Sequence, residues 1–472
     1  MMKIKRLYRI LLILSIVLIS GCNNRQYVDD TPSFVPHAVN EEESTQTKEN
    51  QGVNINEQED IKKDDVDPFA TKWVDAICNL QTTMDGIIGI NDNVSKEERD
   101  QKFLNLVNDI QDGLKDEMTI YYRLCSIVAE ERMAHLYLTK GFEDPLRTVI
   151  PIGMCWMNEK LYLSSIENNM KDYLGYEVVA INDFSIDELI QMLSNVDSCE
   201  TDSGSRCCLE YSFRSVSQLR YCGIMKESDN SIELTLLGKE DEDITITVDA
   251  VDASKEIQTA TIYDIMPVEN LPMVYKTNLL HNRTNYCFTP DSKHKTMYFL
   301  YNNCAEMESE TMDSFFSEMI HIMMEDDDNY ERLVIDVRWN QGGSRYLLQK
   351  NLYKYRNYLN GKKICLITGI WTASAGVQVA EDCLTYFDNF KIYGCPTAGA
   401  INNYTEVERY ALDDVEISLI YPTILDNLPC LVGKYGNVKE SVIPDVLVDQ
   451  TYEDFCKGID TIYEKILNDT NW

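Results

Sequence analysis

Histidine is scarce in this chain, with five in 472 residues. No Cys-x-x-Cys pair and no His-Glu-x-x-His string occurs, so the ligand spacings of a dedicated zinc site are missing. Neither a metal nor a cofactor is therefore expected. Basic clusters are absent too. Lys and Arg total 43 against 78 Asp and Glu, a formal charge of −35. Such a surface repels nucleic acid and anionic lipid, suits solubility, and would favour basic peptides over acidic ones. There is no internal repeat. The N-terminal apolar run, Ile10 to Ile19, is too short for a comfortable membrane span.

What is present at the N-terminus reads as an export signal. Lys3, Lys5, Arg6 and Arg9 precede the apolar run, which ends in Leu18-Ile19-Ser20-Gly21-Cys22. That ending resembles a bacterial lipobox, which implies cleavage before Cys22 and lipidation of its thiol. The protein is then expected on the cell membrane, lipid-anchored at the extracytoplasmic face. Residues 22–65 are poor in aromatics and rich in Asn, Gln, Asp and Glu, so they cannot offset the entropy of ordering and read as a disordered tether. As a flexible coil this tether averages about 35–40 Å end to end.

The remainder, with 44% apolar residues over the chain, is enough for two or three cored domains. Apart from Cys22, the cysteines are scattered without repeated spacing, and several behave as small core residues. The vicinal Cys207-Cys208 pair is the one to check for redox chemistry. Residues 66–145 show helical periodicity, with Trp73, Ile77, Leu80 and Met84 on one stripe and a last helix from Met118 to Met133. Residues 146–250 read as a small β-rich module with a helix at Ile186 to Leu193, and 251–295 as a connecting segment. Strands and helices alternate over 296–450, which argues an α/β core, and a helix from Tyr452 to Leu467 closes the chain.

Two blocks carry the chemistry. Leu333-Val-Ile-Asp-Val-Arg-Trp-Asn-Gln-Gly-Gly343 and Ile364-Cys-Leu-Ile-Thr-Gly-Ile-Trp-Thr-Ala-Ser-Ala-Gly376 each read as a buried strand breaking into a tight turn. The first turn offers glycine N–H groups; the second presents Ser374 beside Ala375, where a helix begins. A serine at a strand-to-helix turn with backbone N–H groups nearby is the layout of acyl transfer. Ser292-Lys-His-Lys295 and Ser228-Asp-Asn230 echo penicillin-recognising enzymes, but their order is wrong and no Lys-Thr-Gly follows.

Over roughly residues 70 to 450 the chain resembles the tail-specific, or C-terminal processing, serine proteases. Tyr176-Glu-Val-Val-Ala-Ile-Asn182 and the residues after it are similar to the family's PDZ-like module. Asp336-Val-Arg-Trp-Asn-Gln-Gly-Gly343, Thr372-Ala-Ser-Ala375, Gly394-Cys-Pro-Thr-Ala-Gly399 and Pro444-Asp445 resemble four successive motifs of its core. The resemblance implies an α+β multidomain fold: a helical N-terminal domain, a PDZ-like β module and an α/β, crotonase-like core. It also implies Ser374 as nucleophile, with an oxyanion held by the amides of Gly342 or Gly343 and of Ala375. One branch of the family uses a lysine base just after the Gly-x-x-Thr-x-Gly element, but Ala398-Gly-Ala-Ile-Asn402 contains none. The tricorn-like branch uses a histidine, which here is His135, although its Asp-Gly-His-Thr neighbours have become Met133-Ala134-His135-Leu136. Glu440 resembles the late acidic residue that would orient this base, with a shorter spacing to Pro-Asp. Asp336, Arg338 and Asn340 are expected to brace the turn. The implied activity is a serine peptidase acting on peptide or unfolded-protein substrates. The alternatives are a degenerate member that only binds peptide or ligand at the cell surface, or an esterase or amidase on the same core.

Overall fold

The structure is a computed structural model in which residues 67–471 are described, apart from 143, 145, 213–214, 239–241, 256 and 437–438. The export signal, Cys22 and the tether lie outside the described residues. Helices α1 (Pro68–Met84), α2 (Lys96–Gln111) and α3 (Glu117–Ala129) come first. Each starts at a carboxylate or hydroxyl cap (Asp67, Ser95, Asp116) that accepts a first-turn N–H and so satisfies a donor the helix start leaves open. Trp73, Ile77 and Leu80 pack with Phe103, Leu106 and Ile110 in one buried cluster.

Helix α3 stops at Ala129, short of the Met133 that periodicity suggests. Tertiary bonding decides this. Arg99, fully buried, reaches the buried Glu131 carboxylate at 2.8 Å and the Ile90 carbonyl at 3.2 Å. Asn93 donates to the Glu131 carbonyl, and Arg132 takes a left-handed backbone at φ 50°. The chain leaves this turn through His135 into strand β1 (Tyr137–Lys140).

A seven-stranded sheet follows. Its main strands are β2 (Gly153–Met157), β3 (Lys160–Glu167), β4 (Glu177–Ile181), β5 (Ser231–Leu237), β6 (Asp243–Asp249) and β7 (Thr259–Thr261), in the order β7-β3-β4-β5-β6 with β2 on β3. Ile232, Leu234 and Leu236 alternate inward along β5 at the strand period of two. Helix α4 (Ile186–Ser194) opens on a capping box between Ser185 and Glu188, and α5 (Asp202–Ser212) follows.

The core sheet has six strands: β8 (Tyr286–Asp291), β9 (Thr296–Tyr301), β10 (Arg332–Asp336), β11 (Lys363–Thr368), β12 (Phe390–Gly394) and β15 (Val446–Leu447), in that spatial order. Strand β8 is antiparallel to β9 and the rest are parallel. One face (Phe299, Leu333, Ile335, Leu366) packs on helices α6 (Met312–Glu325), α7 (Tyr346–Leu359) and α8 (Ala375–Tyr386). The other (Tyr298, Val334, Cys365, Ile367) packs on Val274, Ile462 and Ile466. Burial on both faces explains why these strands read as continuous apolar runs. A long hairpin, β13 (Tyr404–Leu412) with β14 (Ile417–Leu425), takes β1 as a third strand on β14.

The architecture is mixed α+β, in line with the sequence reading, and three local expectations change. Strands β7 and β8 both lie inside the segment 251–295 read as a connection, so the seven-stranded sheet runs past residue 250 and the core sheet begins before residue 296. The hairpin and helix α9 (Pro429–Tyr435) have no counterpart in the sequence reading. The terminal helix is broken into α10 (Tyr452–Cys456) and α11 (Thr461–Asn468). Gly458 between them has φ 74° and sits so close to the Asn270 carbonyl that a Cβ would lie 2.1 Å from it.

Candidate active site

The carboxyl ends of β10 and β11 lie side by side, which is where open parallel sheets carry their sites. Arg338 and Asp336 brace the first turn. The Arg338 guanidinium donates to Asp336 at 2.9 Å and to Asp460 at 3.2 Å, while Asp460 caps α11. Burial raises the Asp336 carboxyl above its ordinary range, against the pull of Arg338. Asn340, fully buried, holds three segments together: its Nδ2 donates to Tyr301 O at 2.8 Å, its Oδ1 accepts from Gly342 N–H at 2.9 Å, and its carbonyl accepts from Ala373 N–H at 2.9 Å. All three residues read as braces do act as braces.

Ser374 precedes the first residue of α8 and has φ 51° and ψ −126°, a backbone region that costs a non-glycine residue energy. Small neighbours accommodate the sharp turn. A Cβ on Gly342 would lie 2.6 Å from Ser374 Cβ, one on Gly376 2.5 Å from Asn340 O, and one on Gly399 3.0 Å from Ser374 N. Thr372 locks the turn by donating to Val337 O at 2.8 Å and accepting from Gly369 N–H at 2.9 Å.

The imidazole of His135, 239 positions away in the chain, lies with Nε2 3.1 Å from Ser374 Oγ. Its Nδ1 is buried without a hydrogen-bond partner, and the nearest charged group is the Glu200 carboxylate at 3.9 Å. Glu200 is 8% exposed. It is held by two backbone donors, Ala134 N–H at 3.2 Å and Ala400 N–H at 2.9 Å, and so bridges the histidine turn to the strand end after Gly399. Glu440 is not the carboxylate beside this ring. Its side chain is exposed, and its carbonyl accepts from Ile401 N–H at 2.9 Å. The physical reason is the antiparallel bridge between Ala400 and Ser441, which engages the Glu440 main chain and leaves the Ala400 N–H to Glu200. Nothing in Val196-Asp-Ser-Cys-Glu200 marks this glutamate in the sequence.

The backbone donors also separate. Gly342 is the glycine packed on Ser374, but its N–H is engaged by Asn340 Oδ1. Gly343, at φ 123°, forms a parallel bridge with Cys304 through its neighbours' groups, Gly342 O and Ser344 N–H, which leaves its own N–H out of that pairing. Ala375 opens α8, so its N–H has no acceptor within the helix and stands at the positive end of the helix dipole. Among the described residues no group of three His, Cys, Asp or Glu side chains is arranged to hold a metal ion.

The sequence matches no protein-family model, and no curated protein is significantly similar to it. Solved structures do share the fold. Mature CPAF complexed with lactacystin superposes with a TM-score of 0.56 at 11% identity, over 85% of this chain and 97% of that one. Mature CPAF alone gives 0.55 at 11% identity, over 85% and 96%. The photosystem II D1 C-terminal processing protease aligns over 84% of this chain and 98% of its own, but at a TM-score of 0.37 and 12% identity the superposition is too loose to support an argument. What this chain has in common with CPAF, over nearly the whole of that protein, is therefore its fold.

Proposed function

We propose that this protein is a serine peptidase working through Ser374 and His135, tethered to the membrane by a lipid on Cys22. The observation that carries the reading is the 3.1 Å approach of His135 Nε2 to a serine at a strained strand-to-helix turn. With the ring proton on Nδ1, facing Glu200, Nε2 accepts the Ser374 proton as Oγ attacks a peptide carbonyl. The protonated imidazole, faced by the Glu200 carboxylate, then passes the proton to the leaving amine, and water hydrolyses the acyl-enzyme. The Ala375 and Gly343 N–H groups are the donors proposed for the oxyanion; removing one such donor typically costs about 10²–10³ in rate. The four core motifs and the shared fold with CPAF support a peptidase on this scaffold, and the seven-stranded sheet with α4 is the proposed PDZ-like, substrate-docking module.

One observation favours the binding-only alternative: Nδ1 stands 3.9 Å from Glu200, outside hydrogen-bond range. Fluorophosphonate labelling of the detergent-solubilised full chain separates the two. The expected adduct lies on Ser374, disappears in Ser374→Ala, and falls by at least about 10³-fold in rate in His135→Ala. A folded protein that takes no adduct, or takes one equally well without His135, would overturn the peptidase reading. The mass of the N-terminal peptide, carrying a diacylglyceryl group on Cys22 or not, tests the anchor.

A further inference from the structure

The segment that delivers Glu200 to His135 carries three cysteines. Cys207 and Cys208 are successive residues of α5, so their side chains point about 100° apart around the helix. Cys208 faces Cys199 instead, with the two Sγ atoms 2.7 Å apart. Cys199 is buried and immediately precedes Glu200. Both thiols are free, as are the other cysteines among the described residues. Between them the chain is fastened to the nucleophile side of the site. The Thr201 hydroxyl reaches Ala398 O at 2.8 Å and also accepts from Gly204 N–H at 3.0 Å, closing the first turn of α5 beneath it. Ser198 Oγ donates to Leu136 O at 2.6 Å, next to the histidine. A change at the sulfur pair therefore acts on the residue that positions the base.

We propose that Cys199 and Cys208 form a reversible disulfide, and that this bond fixes Glu200 beside His135. The role of the bond in turnover rests on the serine-peptidase reading, whereas its formation does not. The oxidant is a disulfide of a thiol–disulfide exchange partner, small molecule or protein. One thiolate attacks it and forms a mixed disulfide with release of the partner's first thiol. The second cysteine then displaces the partner's other sulfur. One S–S bond of the partner breaks, one forms between Cys199 and Cys208, and the two cysteine protons end on the partner's two thiols. The step requires the sulfurs to close to about 2.0 Å. Closure joins the residue before Glu200 covalently to α5, so the carboxylate loses the freedom to swing away from the ring. The hydrogen bond with Cys199, reinforced by burial, holds the Cys208 thiol well above its ordinary range. Little Cys208 thiolate is then present near neutral pH.

The test uses the full chain in detergent, equilibrated with oxidised glutathione or with dithiothreitol, followed by alkylation, digestion and mass spectrometry. A Cys199–Cys208 cross-link is expected after oxidation and lost on reduction, with Cys207 alkylated in both. Exchange of the Ala400 amide, which is bonded to Glu200, should slow about threefold or more in the oxidised form. Fluorophosphonate labelling of Ser374 should be about threefold or more faster in that form. Cys199→Ser and Cys208→Ser should stay at the reduced-state values in both buffers, and Cys207→Ser should follow the parent. No cross-link in protein whose circular dichroism is native, or a cross-link through Cys207, overturns the site. A cross-link that leaves Ala400 exchange and the labelling rate unchanged overturns its action on Glu200. A chain that cross-links and protects Ala400 but never labels keeps the disulfide and loses the peptidase.

Discussion

At the scale of single residues, the carboxylate beside His135 is the decisive assignment. Glu200 touches no reacting atom; it faces Nδ1 and is fixed by the Ala134 and Ala400 amides. Glu200→Gln removes the charge while keeping the shape. It should slow Ser374 labelling by about tenfold or more, since a neutral neighbour stabilises less well the imidazolium that forms as the serine proton is taken. Glu440→Gln, on an exposed side chain, should leave the rate unchanged. A reversed result would return the orienting role to Glu440. Ser374 was legible in the sequence because it lies in a short pattern with a chemical meaning, and His135 through the family resemblance alone, since its neighbours there are not kept. Glu200 was not, because its position depends on a bridge between Ala400 and Ser441 that no local pattern encodes.

At the scale of elements, the base is positioned by the turn that ends α3. Arg99 and Glu131 form an ion pair with both partners fully buried, and burial pushes the Glu131 carboxyl up even though Arg99 pulls it down. Arg99→Leu would leave that carboxylate without its cation, at a cost of about 3–5 kcal/mol in chemical denaturation. Arg99→Leu with Glu131→Leu should recover most of the loss. Labelling of Ser374 should fall in the single variant even where it remains folded, since the Arg132 turn leads directly to His135. The helical stripes of α1–α3 and the runs of β9, β10 and β11 were readable from periodicity alone. The end of α3 and the break at Gly458 were not, because a buried arginine and a close Asn270 carbonyl override local preference there.

Across the whole molecule, the seven-stranded module is joined to the nucleophile turn by a second carboxyl. Glu210 of α5 accepts from Trp156 N–H of β2 at 2.7 Å and from the Trp371 indole, just before Ser374, at 2.9 Å. Burial pushes this carboxyl up to about 8, against those two donors. The folded state therefore holds a proton that the unfolded chain releases near 4.5. The stabilisation linked to that proton is complete below about pH 4.5 and is lost as pH rises through about 8. Glu210→Gln, which is neutral throughout, should accordingly gain stability relative to the parent between about pH 5 and 8.5, read as a rising difference in melting temperature. A pH-independent difference would mean that Glu210 titrates normally.

The sequence by itself determined the mixed α+β class, the order of the helical, β-rich and α/β regions, and the serine at its strand-to-helix turn. These follow from local periodicity and from residues small enough for tight turns, both of which are written along the chain. Tertiary structure alone decided that His135 meets Ser374, that Glu200 rather than Glu440 faces the ring, and that the Gly342 amide is taken by Asn340. Each is a contact between distant segments, selected by burial and by the need to satisfy buried donors, and so has no signature in local spacing.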